Sequence, residues 1–207
     1  MSDTLFYIHD PMCSWCYAFQ PALFALKNHL PCSVRLEKRV GGLAPDTTTV
    51  MPQDLQERIR QTWRRIERTV PGIRFNDDFW MLNTPIRSTY PACRAVLAAA
   101  RQGAEYEDAM ILAIQTAYYR QAKNPALFSV LQECAAAISL HPDRFVQDMA
   151  SESLDKELQD QIGQARRWGV TTYPSLRLQH GKRIVPIAVN YLDYQAMLDD
   201  IGQVAES

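Results

Sequence analysis

HDPMCSWCYAFQP, residues 9–21, places Cys13 and Cys16 three apart, directly after the apolar run TLFYIH at 4–9. The run is short and rich in β-formers, so it reads as a strand. From the cysteines onward Phe19, Leu23, Leu26 and Leu30 recur at helical spacing until Pro31 stops them. SVRLEKRV (33–40) alternates Val34, Leu36, Lys38 and Val40 and reads as a second strand. Strand, helix and strand within some forty residues predict a βαβ unit with parallel strands.

Three chemistries fit an arbitrary C-x-x-C. A cysteine metal site needs about four soft or imidazole ligands. No second C-x-x-C and no close histidine pair supplies them. Haem attachment requires a histidine at position 17, where Tyr17 stands. Two inert core cysteines are the bland alternative. Position weighs against it, because Cys13 falls where the strand gives way to the helix. Unpaired N–H groups and the macrodipole at that end favour a thiolate. Cys16 then lies one turn on, within disulfide reach, so Cys13 can attack a disulfide and Cys16 resolve the mixed disulfide.

Beyond GGLAPDTTT (41–49), the segment from about Pro52 to Trp168 reads as helical. Pro52 sits near one helix start. Asn124-Pro125 reads as an N-cap followed by proline at N1. Strand patterning returns at GVTTYPSLRLQHGKRIVPIAV (169–189), a hairpin turning at HGK, and YLDYQAMLDDIGQV (191–204) closes as a helix bearing Leu192, Met197, Leu198 and Ile201.

The chain has 207 residues and a net charge of −1, which suits one domain or a small domain with an insert and marks no polyanion binder. No apolar run reaches membrane-spanning length. The N-terminus lacks a basic n-region and a long apolar core, so a cytoplasmic protein is expected. The five cysteines are an odd number with one close pair, unlike a stapled secreted domain.

Pro21, five residues after Cys16, and Thr172-Tyr173-Pro174 before the hairpin complete a pattern that resembles the DsbA-like thiol–disulfide oxidoreductases of the thioredoxin fold. Pro21 matches the proline of their active-site helix, and Pro174 their cis-proline. DPMCSWCYAFQP and the later GGL resemble the FrnE-like branch, predicted bacterial protein-disulfide isomerases related to kappa-class glutathione transferases. The resemblance implies an α/β thioredoxin fold with a large all-helical insertion between strands 2 and 3. The thioredoxin-like part would span 1–45 and 165–207, and the insert 46–164. It further implies disulfide exchange through Cys13 as exposed nucleophile and Cys16 as buried resolving thiol. Trp15, Thr172, Tyr173 and Pro174 would meet substrate, and Ser14 and Trp15 would tune the redox poise. No bound cofactor or metal is expected. Partners would be protein or small-molecule disulfides, with glutathione or a thioredoxin-type protein as reductant, and neither nucleic acid nor membrane. The alternative reading is a glutathione-dependent isomerase or transferase acting on a small molecule.

Several residues read blandly. Gly41 and Gly42 suit either an ordinary turn or a close substrate approach. Cys32 reads as inert, and Cys93 and Cys134 as buried small residues. RIRQTWRRIER (58–68) reads as a solvated face, and His9 as a satisfied strand-end histidine.

Overall fold

The computed structural model describes residues 3–205. Strand β1 (Asp3–His9), helix α1 (Ser14–His29) and strand β2 (Val34–Val40) come first. Helices α2 (Gln53–Thr69), α3 (Phe79–Leu82), α4 (Tyr90–Ala100), α5 (Glu105–Tyr119), α6 (Phe128–Ala137), α7 (Pro142–Met149) and α8 (Glu152–Arg167) follow. Strands β3 (Ser175–His180) and β4 (Arg183–Ile187) and helix α9 (Tyr194–Ala205) close the chain. This is the expected class, a thioredoxin fold with helices inserted between its second and third strands. No helix among the described residues is long and apolar enough to cross a membrane.

The sheet order is β2-β1-β3-β4. β1 and β2 are parallel, pairing Asp3 with Val34 through His9 with Val40. β3 lies antiparallel to β1, and β4 to β3. β1 is therefore central and buried along its whole length, which is why TLFYIH is apolar on both faces instead of alternating. Leu5 and Tyr7 pack with Phe19, Leu23 and Leu26 of α1 and Met197 and Ile201 of α9. Phe6 and Ile8 pack on the other face with Ala165 and Val170. Each such buried side chain contributes about 1.5–3 kcal/mol.

The insert is built around α4. Ala92, Cys93 and Ala95 through Ala99 are all buried, and these short side chains let neighbouring helices approach closely. Trp63, Phe79, Tyr118 and Tyr119 share this core. Tyr119 stacks on Tyr17 at 4.7 Å, which docks the insert against the first turn of α1. Lys38 of β2 reaches Glu107 (3.1 Å) and Asp108 (2.7 Å) of α5, a second seam.

Local signals misled at three places. Asn124 caps a turn, its Oδ1 accepting from Ala126 N at 3.1 Å, and α6 begins only after Leu127. Leu192 precedes α9 and is 66 % exposed, while Met197 and Ile201 carry the buried face. The single-turn helix α3 is too short for periodicity to reveal.

His9 is not the satisfied histidine expected. Its ring is fully buried, stacks on Tyr7 at 5.0 Å, and neither ring nitrogen has a hydrogen-bond partner. Burial, reinforced by the Lys38 charge and only partly opposed by Asp108, pushes its pKa from 6.5 to about 3. The folded value lies below the unfolded one. The neutral ring's contribution is thus complete above pH 6.5 and is lost as pH falls toward 3. His9→Phe keeps the ring stack without a titrating group. Urea unfolding of this variant should lose about 3 kcal/mol less stability between about pH 7 and pH 4 than the parent chain. Equal losses would show that the acid sensitivity lies elsewhere.

Candidate functional site at the seam between sheet and insert

The site begins as local backbone chemistry. Asp10 directly follows β1, its Oδ1 accepts from Met12 N at 2.8 Å, and its carbonyl accepts from Cys13 N at 3.0 Å. This Asx-type turn, with Pro11 fixing one φ, delivers Cys13 to the N-cap position of α1. No side chain caps the helix start, so its first N–H groups and the positive end of the dipole lie beside the sulfur. Farther along α1, Pro21 has no N–H to offer the Tyr17 carbonyl.

The opposite wall comes from the loop before β3. Tyr173-Pro174 is a cis peptide, and the Cys13 thiol donates to the Tyr173 carbonyl at 3.5 Å. The Tyr173 hydroxyl donates to the Gly41 carbonyl at 2.6 Å. A Cβ on Gly41 would overlap the Tyr173 ring, and Gly42 has φ +64° with Ile162 and Tyr90 packed against it. The glycine pair thus admits a side chain of the same molecule, which neither sequence reading of GGL anticipated. Burial raises the Tyr173 phenol to about 12, so its hydroxyl is a fixed donor at neutral pH.

A cleft of about 390 Å³ opens beside Cys13. Ser14, Trp15, Thr172 and Tyr173 line it, as do Ile59, Thr62 and Trp63 of α2 and Arg87 and Tyr118 from elsewhere in the insert. Cys16 and Pro174 lie outside this lining. Cys13 is 7 % exposed and Cys16 fully buried, so the nucleophile predicted to be exposed is itself nearly covered and meets solvent only at the cleft. Trp15 also packs on Tyr191 at 5.0 Å, and the Arg65 guanidinium lies 5.8 Å from its ring. The RRIER stretch is therefore more than a solvated face.

Beneath the cleft, sequence reasoning missed a buried polar hub. Asp10 is fully buried. Its Oδ2 accepts from Thr89 Oγ1 (2.5 Å), Leu43 N (2.7 Å) and Cys93 Sγ (3.5 Å). Burial raises its pKa, and these bonds and that from Met12 oppose the rise. Burial, contact with the Cys13 thiol and the nearby Asp10 charge all hold the Cys16 thiol protonated. The Cys93 thiol is pushed up by burial and by Asp10. The one available signal was an acidic residue closing an otherwise apolar strand three residues before a C-x-x-C. Cys134 is buried as expected, whereas Cys32 is exposed.

Residues 6–184 match the thioredoxin family model. The "cytosolic disulfide reductase DsbM" of Pseudomonas aeruginosa superimposes with a TM-score of 0.77 at 24 % identity, covering 98 % of this chain and all of that one. A candidate protein disulfide isomerase from Nitrosomonas europaea superimposes with a TM-score of 0.87 at 23 % identity, covering 100 % and 98 % of the two chains. The ClpXP adapter protein SpxH of Halalkalibacterium halodurans is 25 % identical over 170 residues, 80 % of this chain and 55 % of that protein. The chain thus spans about half the length of the curated relatives it matches.

Gly41 offers a steric test of the arrangement. Gly41→Ala should lower stability by about 1–3 kcal/mol through overpacking against Tyr173. Tyr173→Ala in the same chain should recover part of that loss in a thermal or urea double-mutant cycle. Strictly additive effects would mean that the two residues do not meet.

Proposed function

The chain belongs to the thioredoxin family, and from that premise we propose that it is a thiol–disulfide oxidoreductase working through Cys13 and Cys16. The observation that carries this reading is the placement of the Cys13 sulfur. It stands at the uncapped start of α1, against the Tyr173 carbonyl, at the floor of an open cleft. The Cys13 thiolate attacks one sulfur of a substrate disulfide. That bond breaks, the second substrate sulfur leaves as a thiolate and takes up a proton, and a mixed disulfide forms. Cys16 then loses its proton and attacks Cys13. The first substrate sulfur is released, and the protein is left oxidised as the Cys13–Cys16 disulfide. Two electrons pass from protein to substrate, and two equivalents of an external thiol restore the dithiol and leave as their own disulfide. The backbone beside Tyr173 pairs with an extended substrate strand, and Trp15 and Thr172 contact its side chains.

The direction proposed is reduction, in the cytoplasm. A buried thiol that holds its proton, as Cys16 does, is a poor leaving group, which makes the protein disulfide hard to reduce. The cytosolic reductase among the structural neighbours supports both the direction and the compartment. That protein is also known in a structure with GSH, which supports glutathione as the reductant here. The same likeness keeps open the glutathione-dependent transformation of a small molecule. The FrnE-like assignment rests on the DPMCSWCYAFQP motif. The SpxH relatives supply a third reading, an adapter in which the cleft binds a partner without exchange.

Insulin reduction with glutathione as electron donor tests the proposal. Cys13→Ser should fall to the uncatalysed rate, and Cys16→Ala should accumulate mixed disulfides. Full activity of Cys13→Ser would end the exchange reading. Partner binding undisturbed by loss of both cysteines would favour the adapter. The equilibrium potential should lie near thioredoxin's, about −270 mV. A value near DsbA's, about −120 mV, would reverse the proposed direction.

A further inference from the structure

Arg87 lines the cleft beside Cys13. Of the other partly buried arginines, Arg39 pairs with Glu37 (2.7 Å), Arg94 with Asp46 (2.6 Å) and Arg101 with Glu157 (2.9 Å), Arg177 donates to the Trp168 and Leu176 carbonyls (3.0 and 2.9 Å), and the buried Arg60 Nε lies away from the cleft without a partner. Arg87 is half-buried in the cleft wall. Among the described residues it has no ion pair and no hydrogen bond from its guanidinium. The cleft lining offers it no acid. Its polar side chains are the hydroxyls of Ser14, Thr62, Thr171, Thr172 and the two tyrosines.

The backbone that carries Arg87 is pinned on both sides. Ile86 bridges to Val50, and the Pro85 carbonyl accepts from Met51 N at 2.8 Å. Ser88 Oγ accepts from Thr47 N at 3.3 Å, and Thr89 is held by Asp10 and by the Ala44 carbonyl. Asp10 is also the residue that positions Met12 and Cys13. The root of the Arg87 side chain is therefore tied, through one buried carboxylate, to the loop that carries the reacting sulfur. A guanidinium fork on a pinned backbone, lining a cleft that has no carboxylate of its own, is suited to receive one from outside.

We propose that Arg87 binds a carboxylate of the substrate, so that the protein prefers disulfides bearing an acidic group a few atoms from the attacked sulfur. The inference deepens the exchange reading and rests on it for the word substrate. The carboxylate has two sources of one chemistry: a small disulfide of thiol-acids, or an acidic residue beside the cystine of a peptide. Arg87 neither gives nor takes a proton; it orients the disulfide over Cys13 by charge and geometry.

Alkylation of Cys13 tests Arg87 without requiring exchange. Iodoacetate and iodoacetamide react alike, the thiolate displacing iodide, and differ in one carboxylate. The rates at Cys13 are read by peptide mass spectrometry, which separates them from Cys32. The ratio of acid to amide rates should fall roughly tenfold in Arg87→Gln, with the amide rate reporting any effect on the sulfur itself. Arg87→Lys should keep an intermediate ratio, since charge remains and the fork is lost. An unchanged ratio in Arg87→Gln would overturn the proposal. The exchange arm compares dithiodipropionate with bis(2-hydroxyethyl) disulfide, and glutathione disulfide with a Glu-flanked cystine peptide. Selectivity for the acidic members, lost in Arg87→Gln, supports the proposal, and the second pair identifies the source. Indifference to the carboxylate in the first pair overturns it. If the alkylation ratio responds to Arg87 while no disulfide is exchanged, the carboxylate site stands and the exchange reading fails.

Discussion

One buried carboxylate organises the seam on which the rest of this structure depends. A carboxylate removed from water is costly unless its oxygens are hydrogen-bonded. Asp10 meets that condition with donors from three separate places: its own turn at Met12, the loop after β2 at Leu43, and the insert at Thr89 and Cys93. No one of these segments could be moved without leaving a charge unsatisfied in a dry environment. The turn that presents Cys13, the glycine pair that accepts Tyr173 and the start of α4 are consequently held in one frame. Conformational fixity of this kind is what a reacting group within hydrogen-bond reach of a second wall requires.

The insert gives the rest of the site its shape. Aromatic packing is one part of its attachment to the sheet domain: Trp63, Phe75 and Tyr119 pack on one another, and Tyr119 in turn stacks on Tyr17 next to Cys16. α2 runs along the cleft so that Ile59, Thr62 and Trp63 face Cys13 while Arg65 covers Trp15. Without this insert the start of α1 would lose the cleft wall that Ile59, Thr62, Trp63, Arg87 and Tyr118 supply. With it, the sulfur lies in a cleft whose floor is the active-site turn and whose roof is helical.

The same dryness governs the chemistry. Cys16, Cys93 and Asp10 all sit where ionisation is opposed by burial, and the Asp10 charge further opposes ionisation of both thiols. At the cleft, by contrast, helix N–H groups lie beside Cys13 and the Arg87 guanidinium lines the open space. The buried thiol of Cys16 keeps its proton while Cys13 meets the cleft, a division that suits a dithiol cycling between two states.

Much of the fold was legible locally. β-propensity, the helical recurrence of Phe19, Leu23 and Leu26, the turn at Gly181 and the long strand-free middle determined the order of elements, and the motif resemblance around Cys13, Cys16, Pro21 and Pro174 supplied the class of fold. The spacing of Cys13, Cys16, Pro21 and Pro174 determined where to look for chemistry. These signals are local because helix and strand periods, turns and caps act over a few residues, and where local evidence was thin, at Asn124, Leu192 and α3, it misplaced boundaries. What only the tertiary structure decided is which distant groups meet. Cys13 reaches Tyr173 across 160 positions, and Thr89 reaches Asp10 across 79. Arg87 comes to line the same cleft as Cys13, and Gly41 yields its space to a tyrosine ring, for the same reason. Those pairings follow from closing the sheet and docking the insert upon it, and no periodicity along the chain records them.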